Sequence, residues 1–431
     1  MDKRIQELID RTKIKFSLDN YYLQNYSLNR NVDIFNATSY TLLMEWFPKH
    51  ITELEDDDSN PDGTAVIEID VNTHKFNRVI FVMGKTYANN GISFANLDTK
   101  AIIKWIEQET GLIYGKQFQL DKEEDGKLYF KEGIDGVAVS TAGYIDIKYN
   151  KEGQLIFFAV DGQFSSKEMI KEETYTLILK EVKHLAMEQL KLVEFPADEQ
   201  QKRIPVYAVE EIYITNAGTS TIPFEFIVDV RSYLKIEKTI FWNDPIDKPI
   251  DKPFDMKEIS LTEDDISVEQ AFSREPSPAS FPITKEEEEK CLLAVEKLLR
   301  QEYPDDTGKW ILKTLNRDQG YIHAVVRAKT QDNPLFLFQR KLVIIIDAKS
   351  LQAINYIDNK PLLEMYTDQF QAADKVTLTQ EEAFEKIEEL FELKPYYVYD
   401  FEQKKYLLCG KLDCDYGVHA GSGEVISLSD L

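Results

Sequence analysis

The chain has 431 residues, long enough for two or more domains, and its 43% hydrophobic and 29% charged residues mark a folded globular protein rather than a disordered one. A formal charge of −25, from 76 Asp and Glu against 51 Lys and Arg, opposes binding to nucleic acid or to anionic membranes. Three cysteines, Cys291, Cys409 and Cys414, make no disulfide framework and suit a reducing compartment, so a cytoplasmic location is expected.

From its start, Met1 to Ile9 reads as an amphipathic helix and lacks the apolar core of a signal peptide. Asp98 is placed to cap a helix from Thr99 to Thr110 that Gly111 ends, with Ile102, Ile103, Trp105 and Ile106 forming a buried face. A further helical stretch runs from Glu173 to Leu192. Thr284 with Glu287, and Thr379 with Glu382, are capping boxes that open two more helices. Residues 244–282 are rich in proline, with Pro245, Pro249 and Pro253 every fourth residue, so this insert is expected to be an extended connector with a short helix around Asp264 to Phe272. The aliphatic run Leu342 to Ile346 is too short to span a bilayer.

One pattern recurs along the chain: an apolar strand that ends in a short polar turn. It occurs at Ala65–Thr73, Gly143–Asn150, Phe224–Ser232, Leu342–Ser350 and Cys414–Glu424. Equivalent positions are Asp70, Lys148, Asp229, Asp347 and His419, about eighty residues apart once the insert is set aside. Asp or Asn followed by Ser or Thr closes a hairpin through side-chain to backbone hydrogen bonds, and a second apolar strand returns, as in Val79–Val82 and Leu155–Phe158. These aspartates therefore read as turn chemistry rather than as catalytic groups. The expected fold is α+β: about five tandem degenerate units, each one helix on a three- or four-stranded antiparallel sheet. Three units are expected in 1–243 and two in 283–431, joined by the connector 244–282.

The aliphatic strand followed by Asp-Ala-x-Ser, or by His-Ala-x-Ser-Gly-Glu in the last copy, resembles the closing hairpin of PepSY modules, which are cystatin-like. It is most similar to the YcdB/YcdC-type repeat of Bacillus-like bacteria, in which a Trp-bearing strand comes before the hairpin. Trp46 precedes the first signature and Trp310 the fourth. Asp135-Gly136-Val137-Ala138-Val139 is similar to the short strand of such modules, with Ala138 where proline is usual. The resemblance implies a non-catalytic, regulatory protein-binding module with a possible peptidase partner. It transfers no functional residues.

Five groups of residues are candidate sites. Asp58-x-Asn60-x-Asp62-Gly63 has the start of a calcium loop, but Glu68 falls at the eleventh position instead of the twelfth, so a solvated hairpin loop fits better. Cys409, Cys414 and His419 are spaced by five, which sends side chains to opposite faces of a strand and argues against zinc or a Cys nucleophile. Glu181, His184 and Glu188 share one helical face but lack the second histidine of a metallopeptidase helix. His50, His74 and His323 form no cluster. Tyr396-Tyr397-Val398-Tyr399 reads as cross-strand pairing or as a groove lining. The resulting expectation is no enzyme, no metal and no cofactor. The alternatives are a small-molecule or cation-binding protein, or a hydrolase with scattered carboxylates.

Overall fold

Helix boundaries follow the local capping signals. Asp98 accepts a hydrogen bond from the Lys100 N–H, and Gly111 ends the helix at φ 75°. Both expected capping boxes form, at Thr284 with Glu287 and at Thr379 with Glu382. The computed structural model describes residues 1–51, 60–94, 98–223, 234–242, 253–259, 266–331, 334–400 and 403–431. The chain is mixed α and β with antiparallel sheets, and it divides into two units.

Unit 1 comprises Met1–Glu172, Asp264–Ser280 and Tyr396–Leu407. Helix α1 (Lys3–Lys15) is followed by strands β1 (Tyr21–Val32), β2 (Thr38–Pro48), β3 (Ala65–Asp70) and β4 (Phe76–Phe81). Helix α2 (Thr99–Thr110) is followed by β5 (Phe118–Glu124), β6 (Lys127–Ile134), β7 (Val137–Val139), β8 (Tyr144–Tyr149) and β9 (Leu155–Asp161). The two meanders fuse where β4 pairs with β9, setting Val79 opposite Phe158. One core serves both: Ile5 and Leu8 of α1 and Ile102 and Ile106 of α2 share it with Leu42, Ile67, Phe130 and Phe158. Each such side chain contributes about 1.5–3 kcal/mol by leaving water.

Unit 2 comprises Glu173–Glu263, Phe281–Pro395 and Leu408–Leu431. It holds α3 (Leu179–Gln189), β10 (Leu190–Ala197), β11 (Lys202–Val209), β12 (Ile212–Thr215) and β13 (Thr221–Pro223). Then come β14 (Leu234–Ile240), α4 (Lys285–Glu302), β15 (Trp310–Asp318), β16 (Tyr321–Ala328), β17 (Lys341–Asp347) and β18 (Ala353–Asp358). Helices α5 (Lys360–Gln369) and α6 (Gln380–Ile387) precede β19 (Glu392–Asp400) and β20 (Lys405–Asp413), of which Tyr396–Asp400 and Lys405–Leu407 fall in unit 1, and then β21 (Tyr416–His419) and β22 (Val425–Ser427). Strands β14 to β18 make one antiparallel sheet under α4, with Val295, Leu298, Ile344 and Ile346 in its core. A second core joins α3 and α6 through Val182, Ala186, Ala383 and Ile387.

This division differs from the boundaries expected at 243 and 283. The stretch that follows residue 173 pairs with the C-terminal strands, Ile212 opposite Leu412 and Val206 opposite His419, so it belongs with them. Nor is the whole insert a connector. Its expected short helix forms at Val268–Ser273, where Ala271 is buried in the unit 1 core and its carbonyl accepts from Asn72 Nδ2 at 3.1 Å. The earlier part, at Lys257, borders β18: its N–H donates to the Ile354 carbonyl at 2.8 Å. Residues 243–252 lie outside the described residues.

Three of the recurring turns share one hydrogen-bond pattern. Asp70, Asp347 and His419 each donate their N–H to the carbonyl five residues on, at 2.9, 3.0 and 2.8 Å. Each carbonyl accepts the N–H of the fourth residue on, which is left-handed: His74 at φ 58°, Leu351 at 54° and Gly423 at 76°. The side chains close the loop from inside. Asp70 Oδ1 accepts from the Thr73 N–H at 2.6 Å, Asp347 Oδ1 from the Ser350 N–H at 2.7 Å, and His419 Nδ1 from the Ser422 N–H at 3.0 Å. In the second copy this place belongs to Asn150 rather than Lys148, because the turn is one residue shorter. There the Gly153 N–H donates to the Asn150 carbonyl, and Asn150 Oδ1 accepts from Gln154. The copy at Phe224–Ser232, with Asp229, lies outside the described residues.

A left-handed conformation is costly for a residue with a Cβ, most of all a β-branched one. His74 is exposed. His74→Gly is therefore expected to gain about 0.5 kcal/mol and His74→Val to lose about 1 kcal/mol, read from urea midpoints. Equal effects from both would show that the residue is not held left-handed.

Candidate functional site

The polar groups singled out in the sequence are dispersed. Asn60 Nδ2 donates to Glu45 Oε1 at 3.4 Å, Asp62 is ion-paired with Lys85 at 2.5 Å, and Glu68 lies on β3; Asp58 lies outside the described residues. Cys409 and Cys414 are both buried, and burial pushes the Cys414 thiol upward. Cys409 sits opposite Thr215 on β20 while His419 sits opposite Val206 on β21. Glu181, His184 and Glu188 are all exposed on the outer face of α3, away from buried Val182 and Ala186. His50 packs edge-on against Tyr87 at 4.4 Å, and His323 lies on β16. Among the described residues no group of three His, Cys, Asp or Glu is placed to hold a metal ion.

The aromatic run 396–399 takes part in packing. Tyr396 and Tyr397 pair in parallel with Ala138 and Val139, and Tyr399 meets Phe35 and Tyr406 edge-on at 4.6 and 5.2 Å.

A buried carboxyl in unit 1 escaped the sequence reading. Glu132 on β6 is 1% exposed. Its Oε1 accepts from the Ser165 N–H at 2.6 Å and its Oε2 from the Gly143 N–H at 3.1 Å. Burial outweighs these bonds and raises its pKa above the ordinary carboxyl value. The Tyr406 hydroxyl, also buried, has no hydrogen-bond partner among the described residues, and burial raises it strongly, with the Glu132 charge adding to the effect. Asp33 is raised by burial as well, although the Phe35 and Ala37 N–H groups donate to it. A carboxylate acid–base pair needs two acids with pKa values pushed apart. Here both shift upward, and both direct oxygens at backbone N–H groups, as structural ties do.

An open polar depression of about 540 Å³, also in unit 1, is lined by Asn20, Lys49, His50, Tyr87, Asn89 and Gln154. Its donors already serve the protein: Asn20 Nδ2 donates to the Tyr87 carbonyl at 2.9 Å, and Lys49 Nζ to the Asp19 carbonyl at 2.7 Å.

The edge of the unit 1 sheet offers more. Strand β1 is twelve residues long and ends the strand order. It pairs with β2 alone, and among the described residues no strand or loop backbone bonds to its outer side. After a bulge at Gln24 the register runs unbroken from Asn25 opposite Glu45 to Val32 opposite Thr38. Tyr26, Leu28 and Arg30 lie opposite the buried Met44, Leu42 and Tyr40 of β2. Polar Gln24, Asn25, Ser27 and Asn31 are exposed along it.

No family model matches the chain, and no curated protein matches it in sequence. Among solved structures, the Bacillus megaterium YpeB C-terminal domain is similar over 52% of this chain and 97% of that one, at 12% identity and a TM-score of 0.24. At that level the likeness carries no inference about function. Among the described residues, no helix is long and apolar enough to cross a membrane.

Proposed function

We propose that the chain is a non-catalytic protein-binding module of tandem PepSY-like units, which takes up an extended segment of a partner as an added strand beside β1. The observation that carries this reading is the outer side of β1. An edge strand presents a row of N–H and C=O groups ready for another chain. Protected edges carry lysines, prolines or bulges. Here the only charged side chain is Arg30, proline is absent from the strand, and the single bulge lies near one end. Recurrence of one turn at Asp70, Asp347 and His419, each at the end of a strand that follows a helix and a meander, supports the tandem-unit part of the reading. A peptidase-related partner is what the PepSY resemblance implies.

Peptide display on the intact chain tests this. Enriched peptides are expected to lose at least about tenfold in affinity, roughly 1.4 kcal/mol, when Ser27 and Asn29 are both changed to lysine. They are also expected to slow hydrogen exchange along Asn25–Val32. Peptides that bind the lysine variant as well as the parent, with no protection of β1, would remove strand addition.

A further inference from the structure

Unit 2 carries an apolar patch outside the two cores described above. Helix α5 has no buried residue, yet Leu362, Met365 and Tyr366 follow one another at the spacing of a single helical face. Tyr366 stacks on Phe338 at 5.6 Å and meets Phe370 edge-on at 4.9 Å, and Phe336 closes the group at 5.6 Å from Tyr366. Phe336 and Phe370 are buried at the base of the cluster, while Phe338, and Leu362 and Met365 on the Tyr366 face of α5, are 36–41% exposed. Large exposed apolar side chains grouped on one helical face beside an aromatic cluster are the mark of a contact surface.

We propose that this patch docks a basic amphipathic helix from a partner protein. Side chains alone are on offer here. The neighbouring edge of β10 is occupied, since the Glu194 N–H donates to the Leu335 carbonyl at 2.7 Å and the Leu337 N–H to the Glu194 carbonyl at 3.1 Å. A helix, whose backbone bonds are internal, suits such a surface better than a strand does. The rim sets the sign of the partner's charge. Asp368 on α5 is exposed, as are Asp198 and Glu199 in the turn before Gln201, whose carbonyl accepts from the Gln371 N–H. None of the three has an ion-pair partner among the described residues, whereas Lys360 is already paired with Glu364 at 3.4 Å and Lys202 with Asp374 at 2.7 Å. A second copy is disfavoured because each chain carries −25.

The probe is a synthetic helix about five turns long with one leucine face and one lysine face, titrated into the intact chain at physiological salt. The triple variant Phe338→Ser, Leu362→Ser, Met365→Ser is expected to bind it at least about tenfold more weakly. Met83→Ser, an exposed apolar side chain in unit 1, is expected to leave binding unchanged. A peptide of the same composition in scrambled order is expected not to distinguish the parent from the triple variant. Asp198→Lys with Glu199→Lys is expected to weaken the lysine helix and strengthen one built with glutamate, which holds even if the serine variant unfolds. Equal affinity of the parent and the triple variant would overturn the proposal. So would a dimer in sedimentation that the triple variant alone abolishes while the peptide fails to discriminate.

Discussion

Glu132→Ala is expected to cost unit 1 about 3 kcal/mol, far more than its single carboxyl suggests. The substitution leaves the Gly143 and Ser165 N–H groups buried without acceptors, and each orphaned donor costs roughly 1–3 kcal/mol. Loss of protection of these two amides in native-state hydrogen exchange would be the direct reading. Fast exchange confined to other residues would mean that the carboxyl is not the tie. Glu132→Gln separates charge from shape, and the sign follows from the burial of the group. Burial raises its pKa in the folded state, so the folded chain holds this proton more tightly than the unfolded chain does. The resulting stability is complete below the unfolded value, about 4.3, and is lost as pH rises through the raised folded value. The stability of the parent relative to Glu132→Gln should therefore fall as pH rises across that window. A flat difference would show that the carboxyl titrates alike in both states.

Phe158→Ala is expected to cost about 3–5 kcal/mol. Its ring is fully buried, faces Val79 across the strand pair that fuses the two meanders, and lies opposite Ile147 on β8. Trp105 of α2 meets it edge-on at 4.9 Å, an arrangement worth about 1 kcal/mol beyond the buried area. One side chain thus ties a helix to both meanders. The check is a fall in the denaturation midpoint at constant m, with Phe158→Leu recovering more than half of the loss. A cost under about 1 kcal/mol would mean that the two meanders fold independently.

Elements decided by near neighbours in the chain were legible in the sequence. Helix caps at Asp98, Thr284 and Thr379, and the turn role of Asp70 and Asp347, rest on residues within five positions of one another. Counting a period was less secure. A turn one residue short moved the second copy from Lys148 to Asn150, because spacing alone does not register a change of loop length. The division into units was not legible, since no local signal says that Ile212 pairs with Leu412, two hundred residues away. Glu132 did leave a trace. Leu128, Phe130 and Glu132 alternate on the same side of β6, so a carboxyl on an inward face was there to be noticed. The outer edge of β1 left none, because whether a strand has a second neighbour is a property of the assembled sheet.

The composition of unit 1 from three separated stretches also sets a timetable for synthesis. A chain emerging at roughly 5–20 residues per second takes on the order of ten to fifty seconds to pass from Glu172 to Leu407. Through that interval Tyr40 waits for the Glu275 carbonyl that its hydroxyl will meet at 2.7 Å, and Ala138 waits for Tyr396. Unit 2 in turn closes only with Leu408–Leu431. A ribosome that stops before Tyr396 therefore releases two unfinished bodies rather than one finished and one missing, and quality control would meet both defects in the same nascent chain.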